Sequence, residues 1–360
     1  MSKRNPYVGL PDYQFWKKEP AITNPKAFDP VIKADFVIKK QEPVVTAGSC
    51  FAQHVARYLT SSGFNHLITE NAHPLINEDT AKAFNYGMFA ARYGNIYTAR
   101  QLKQLLLRAY GQIQPIDTAW EGKDPNTVVD PFRPQIQPGG FSSQEELIAD
   151  QTTHFLAIRK AIESMSVFVF TLGLTECWID KRDGTVYPLA PGVAGGIYDP
   201  SKVEFHNFSL KETFDDLLFS LNLIRALNQN VKFILTVSPV PLNATREDKH
   251  VFVSTTYSKS ILRVAAEEAS RSLENCAYFP SYEIITSPYS RGAYFDTDCR
   301  NVTEEGVNHV MNLFLAHYGD QDSEAYIDSH KELQEQTREQ ISAMQNVLDV
   351  LCDEEAIDNE

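Results

Sequence analysis

No two cysteines in this sequence are spaced as CxxC, and none clusters with histidine. The five present (Cys50, Cys177, Cys276, Cys299 and Cys352) are scattered and odd in number, which argues against a disulfide framework and a zinc site. The glycines never fall into the GxGxxG or GxxxxGK spacings that cradle nucleotide phosphates, so no metal and no cofactor are expected. Also missing is any run of about eighteen apolar residues that would span a bilayer. The opening MSKRNPYVGLPDYQFW lacks the apolar core of a signal peptide. The expectation is a soluble, cytoplasmic protein with free thiols and no membrane span. There is no basic stripe to meet nucleic-acid phosphates, so a nucleic-acid partner is disfavoured.

What the chain does have is acid, unevenly placed. The formal net charge is −14, and residues 321–360 carry twelve Asp and Glu against Lys331 and Arg338. The rest is nearly balanced. With 360 residues, 43% hydrophobic and 22% charged, the composition suits one large α/β domain with an appendage, or two modest domains. The first of these is adopted: a proline-punctuated irregular segment over 1–40, an α/β domain over 41–320 with a loop insertion at about 111–143, and an acidic tail over 321–360. In that tail Ile341, Met344, Leu348 and Leu351 form a heptad-like apolar stripe. A helix there would dock on its own domain or pair two copies into a homodimer.

Hydrophobic patterning supplies the elements. Residues 43–47 read as a short buried strand ending in Gly48-Ser49, and Phe51, Val55, Tyr58 and Leu59 then fall on one helical face. Thr98 is placed to N-cap a helix over 99–109. Prolines and the Gly139-Gly140 pair make 111–143 loop-rich, and a structureless stretch that long implies something to cover. A helix over 143–164 leads into Val167–Leu172, apolar on both pleat faces as a central parallel strand is. Helix 210–228, strand 231–237, the breaker Ser238-Pro239-Val240-Pro241, helix 249–273, strand 277–279 and helix 303–318 complete the alternation. The expected fold is a three-layer αβα sandwich with a mainly parallel, flavodoxin-like sheet and a C-terminal helical extension. In such sheets the ligand crevice lies beyond the carboxyl ends of the strands. Gly48-Ser49, Gly173–Glu176 and Ser238-Pro239 all sit at such ends.

Ser49 is the foremost candidate. A serine between a strand and a helix has backbone N–H groups near it and lies in the positive end of the helix dipole. Gly48 permits the sharp turn. The bland alternative is an N-cap. Cys50 competes as a nucleophile, with His54 four residues on along one helical face, or else simply fills core space.

Gly48-Ser49-Cys50-Phe51-Ala52 resembles the signature of the GSCFA family. Arg92–Thr98, Asp130–Pro134, Thr171–Glu176 and Phe279–Glu283 resemble its other recurrent blocks, over about residues 40–318. More distantly the chain resembles the SGNH/GDSL esterases and acetyltransferases, which act on acyl esters, often of carbohydrates. That resemblance implies Ser49 as nucleophile, with its own N–H, Gly94 (followed by Asn95) and a third-block asparagine as the oxyanion hole. Thr175 stands where that asparagine would be. The block supplying the triad's acid and base matches Asp298-Cys299-Arg300-Asn301, so Asp298 is present and Asn301 occupies the histidine position. An asparagine cannot take the serine proton.

Other candidate bases are His309, inside the last helix and about 12 Å along its axis from position 301; His206, from a loop before a helix; His54; and Glu176, read as the end of a central strand. Glu176 would otherwise pair with Arg92 or Arg300. Three readings follow. The first is a serine esterase or acyltransferase acting on a small-molecule or glycan acyl ester. The second is a non-catalytic glycan- or protein-binding member that lost the triad. The third is a cysteine-dependent enzyme through Cys50.

Overall fold

The computed structural model describes residues 5–320; the acidic tail, its apolar stripe and any homodimer through it lie outside the described residues. Short 3-10 turns punctuate the segment before residue 40. From it Phe28, Val31, Ala34 and Phe36 pack onto one face of the domain.

The elements run β1 (Val44–Gly48), α1 (Phe51–Ser61), α2 (Glu78–Ala83), α3 (Ala99–Ala109), β2 (Trp120–Glu121), β3 (Val128–Val129), α4 (Gln144–Ser164) and β4 (Val167–Leu172). They continue with β5 (Glu176–Asp180), β6 (Val186–Tyr187), β7 (Val203–Asn207), α5 (Leu210–Leu227), β8 (Lys232–Val237), α6 (Val251–Ser272), β9 (Cys276–Tyr278), α7 (Ser281–Thr286) and α8 (Glu304–Tyr318). Helix starts follow their caps. Thr98 closes a capping box with Gln101 at α3, Ser209 does so with Glu212 at α5, and Ser143 accepts from the Glu146 N–H at α4.

The main sheet has the order β1-β4-β8-β9, all parallel. Alternation of side chains across the strands divides the core in two. Val45, Ala47, Phe168, Phe170, Phe233 and Leu235 join the layer of α3–α6. Val44, Val167, Val169 and Ile234 join that of α1, α7 and α8. Both faces are covered, which is why the strands read as unbroken apolar runs. The three-layer α/β fold stands as expected.

Two features differ from the sequence reading. The central strand ends at Leu172, and Glu176 opens a second, antiparallel sheet of order β6-β5-β7. Its strands are short and mix charged with apolar residues, so they carry no continuous hydrophobic run. Within 111–143, β2 and β3 form a small antiparallel ladder, Trp120 opposite Val129 and Glu121 opposite Val128. Among the described residues no helix is long and apolar enough to cross a membrane.

Candidate active site at the strand ends

The turn after β1 is fixed by three hydrogen bonds. The Ser49 N–H donates to the Thr171 carbonyl (3.1 Å), continuing the β1–β4 ladder; the Ile96 N–H donates to the Gly48 carbonyl (2.7 Å); and the Ala52 N–H donates to the Ser49 carbonyl (2.8 Å), starting α1. Gly48 takes φ +135°, and a Cβ there would lie 2.2 Å from the Thr171 oxygen. Only glycine lets β1 approach β4 so closely at its end.

Ser49 is 3% exposed, and its Oγ has no hydrogen-bond partner. It caps nothing: α1 begins with no side-chain cap, and Cys50 at that position is already helical (φ −50°, ψ −32°). A buried hydroxyl without a partner costs about 1–3 kcal/mol, so a purely structural serine is poorly explained here.

The second block is drawn against this turn. The Tyr93 hydroxyl donates to the Thr46 carbonyl on β1, and Gln53, one helical turn after Ser49, donates Nε2 to Asn95 Oδ1 (3.2 Å). Gly94 has φ +67° with open space where a Cβ would be. On the opposite side stands Gly173, whose Cβ, if it had one, would sit 2.9 Å from Ser49 Cβ and 3.2 Å from Tyr97 Cδ1. The Gly173 and Leu174 N–H groups both donate to the Tyr97 carbonyl at 3.0 Å. Gly48, Ser49, Gln53, Gly94, Asn95, Tyr97 and Gly173 therefore form one cluster.

The remaining sequence candidates are engaged elsewhere. Asp298 closes on its own turn, accepting from the Arg300 N–H (2.9 Å), the Asn301 N–H (2.9 Å) and Asn301 Nδ2 (2.8 Å). His309 shares a hydrogen bond with the Tyr294 hydroxyl (2.7 Å), and burial lowers its pKa. His206 lies 3.0 Å from Glu212. Thr175 donates its hydroxyl to Asn207 Oδ1 (2.6 Å), away from the oxyanion role that the third block implies. Glu176 accepts from the Thr245 hydroxyl (2.7 Å), while Arg92 serves Asp150 and the carbonyls of Phe84 and Ile136. His54 accepts from Arg57 (2.9 Å), and burial with that neighbouring charge pulls its pKa down to about 3.

Behind the second block lies a buried ionic network that patterning missed. Arg133 reaches Asp130 (2.9 Å), Asp150 (2.7 Å) and the Arg92 carbonyl (3.1 Å). Glu70 accepts the Arg92 N–H (2.7 Å) and pairs with His154 Nδ1 (2.7 Å), whose Nε2 is buried without a partner. Two recesses flank this network and share Asn95, Phe132 and Arg133. One is lined by Gln104, Arg108 and His154, the other by Gln53, Met88, Gly94 and Ile136. The second reaches α1 one turn beyond Ser49.

Charge in this network makes the fold acid-sensitive. Desolvation and the Arg133 charge push His154 down to about 4, and desolvation alone takes His66 to about 4. Burial opposes ionisation of Glu70, but the His154 hydrogen bond, Arg133 and the Arg92 N–H together hold it at about 2. Between pH 6.5 and 4 the unfolded chain binds protons at these histidines that the folded chain refuses. Stability present above pH 6.5 is therefore lost as pH falls toward 4, and Glu70 adds a further loss below 4.5. The urea midpoint should fall steadily from pH 7 through 5.5 to 4.5; a flat midpoint over that range contradicts this.

Glycines where backbones meet, an unpartnered serine at a strand end and a second block pinned beside it are the geometry that the first, second and Thr171–Glu176 blocks build. In a comparison with curated proteins none matched. The GSCFA family model matches residues 43–314, so this chain belongs to the GSCFA family.

Proposed function

We propose that this protein is an SGNH-like serine esterase or acyltransferase with Ser49 as nucleophile. The observation that carries this reading is the buried, unpartnered Ser49 Oγ at the carboxyl end of β1, facing the glycine of the next strand end. Oγ gives its proton to water as it attacks an acyl carbonyl; the resulting oxyanion, met by N–H groups of the turn, collapses with cleavage of the ester C–O bond, and the departing alkoxide takes a proton from water and leaves as the alcohol. Among the described residues, neither the Cys50 nor the Gly94 N–H donates a backbone hydrogen bond, whereas that of Ser49 is taken by Thr171. Cys50 N–H, with the α1 dipole behind it, and Gly94 N–H are therefore the chosen oxyanion donors. Water or an acceptor hydroxyl, of a sugar in a carbohydrate ester, then releases the acyl group from Oγ.

The test is labelling with a serine-reactive fluorophosphonate, with the adduct mapped by mass. The wild-type protein is expected to label at Ser49. Ser49→Ala should lose the adduct and slow p-nitrophenyl acetate hydrolysis by about 10³-fold or more. A wild-type protein that neither labels nor turns over the ester refutes the reading. That result would favour the binding-protein alternative, which the closed Asp298–Asn301 turn and the engaged Thr175 hydroxyl support.

A further inference from the structure

Lys259 on α6 is 1% exposed, and its Nζ donates to the Gly173 carbonyl at 2.8 Å. Gly173 is the same residue whose absent Cβ would press on Ser49 Cβ. One glycine thus stands between a buried lysine and the serine. The helix face around Lys259 is polar where it meets the strand end. Ser254 and Ser258 are fully buried, and the Ser258 hydroxyl accepts the Thr175 N–H at 3.1 Å.

Burying an ammonium group costs several kcal/mol unless attraction and hydrogen bonds offset it. A buried cation placed beside a crevice is accordingly a functional candidate.

We propose that Lys259 is a positioning residue for Ser49: it fixes the Gly173 backbone against the serine, and its buried positive charge favours negative charge on Oγ. The proposal deepens the serine reading and rests on it for its catalytic meaning. Gly173 is held from both sides, its N–H by the Tyr97 carbonyl and its oxygen by Lys259, so the wall facing Ser49 has little freedom. The charge acts together with the N-terminus of α1, while the Glu176 carboxylate, three residues past Gly173, opposes it.

Two readouts test this with Lys259→Met, which keeps length without charge, and Lys259→Gln, which keeps a donor without charge. The first is the rate of fluorophosphonate labelling at Ser49. Both variants should label about tenfold or more slowly at pH 7, with Lys259→Arg closer to wild type. Urea midpoints should show that the folded state persists. The second needs no esterase activity. In a Ser49→Cys/Cys50→Ala background, the iodoacetamide rate at position 49 is followed against pH. Adding Lys259→Met or Lys259→Gln should move its midpoint up by about one pH unit.

An unmoved thiol midpoint overturns the proposal, whatever the wild-type protein does with fluorophosphonate. A moved midpoint in a protein whose Ser49 never labels refutes the esterase and leaves the Lys259 assignment standing. Should Lys259→Met fail to fold, Lys259→Gln carries both measurements.

Discussion

Gly48→Ala should leave little folded protein. The new Cβ would lie 2.2 Å from the Thr171 oxygen and 2.8 Å from its carbonyl carbon and nitrogen, all backbone atoms. Relief requires β1 to part from β4. That would break the Gly48–Thr171 register and strain the bonds from Ser49 to Thr171 and from Ile96 to Gly48. The φ of +135° adds strain of its own, because an L side chain rarely adopts it. Strain of about 1–3 kcal/mol and a clash that rotamer change cannot relieve sum to about 4–5 kcal/mol or more. Domains are stable by only about 5–15 kcal/mol. Soluble yield, the urea midpoint and Ser49 labelling should all collapse together. A Gly48→Ala protein with the wild-type midpoint would show that β1 and β4 have room to part at this turn.

Arg133→Met should be the next most damaging change, by way of charge rather than shape. Arg133 is 5% exposed and joins Asp130, itself 2% exposed, to Asp150. Removing it leaves two carboxylates short of their partner and the Arg92 carbonyl without its donor. Breaking a buried pair from one side typically costs about 3–5 kcal/mol. The functional consequence follows the same bonds. Arg92 is held by Arg133 through its carbonyl and by Glu70 through its N–H, and two residues later comes Gly94. Loosening that anchor frees the proposed oxyanion segment, so labelling at Ser49 should slow even in the fraction that remains folded. The double change Arg133→Met/Asp130→Asn, which removes one orphaned charge, should recover part of the midpoint. Equal midpoints for the single and double variants would mean that the penalty is packing alone.

These two substitutions also mark the limits of the sequence. Gly48 was readable from it, because a strand, a small-residue turn and a helix in succession are local features with local causes. The same holds for α3, α4 and α5, whose caps at Thr98, Ser143 and Ser209 precede apolar periodicity. Arg133 was visible only as a member of a block that resembles one of the family's, without its role. Asp130 lies only three residues before it, but its other partners come from 17 residues away at Asp150 and 41 residues away at Arg92, and no periodicity links such positions. Gln53 could have been found, since it lies in the first turn of the helix that follows Ser49. Lys259 leaves a fainter trace: Lys259, Leu262, Ala266 and Ala269 share the inward face at three-four-three spacing, an odd place for a lysine.

The sequence by itself determined the four parallel strands, the helices between them and the placing of Ser49 at a strand end, because each rests on a pattern within a few residues. Under the proposed esterase reading, position 301, an asparagine, leaves the triad without its histidine. Only the tertiary structure decided which groups surround the serine. It turned Asp298, Thr175, His206 and His309 toward other partners, set Gly173 against Ser49 with Lys259 on the Gly173 carbonyl, and tied Asn95 to Gln53. The reason is physical: hydrogen bonds and charge interactions act over a few ångströms in space, and only the closed sheet sets those distances.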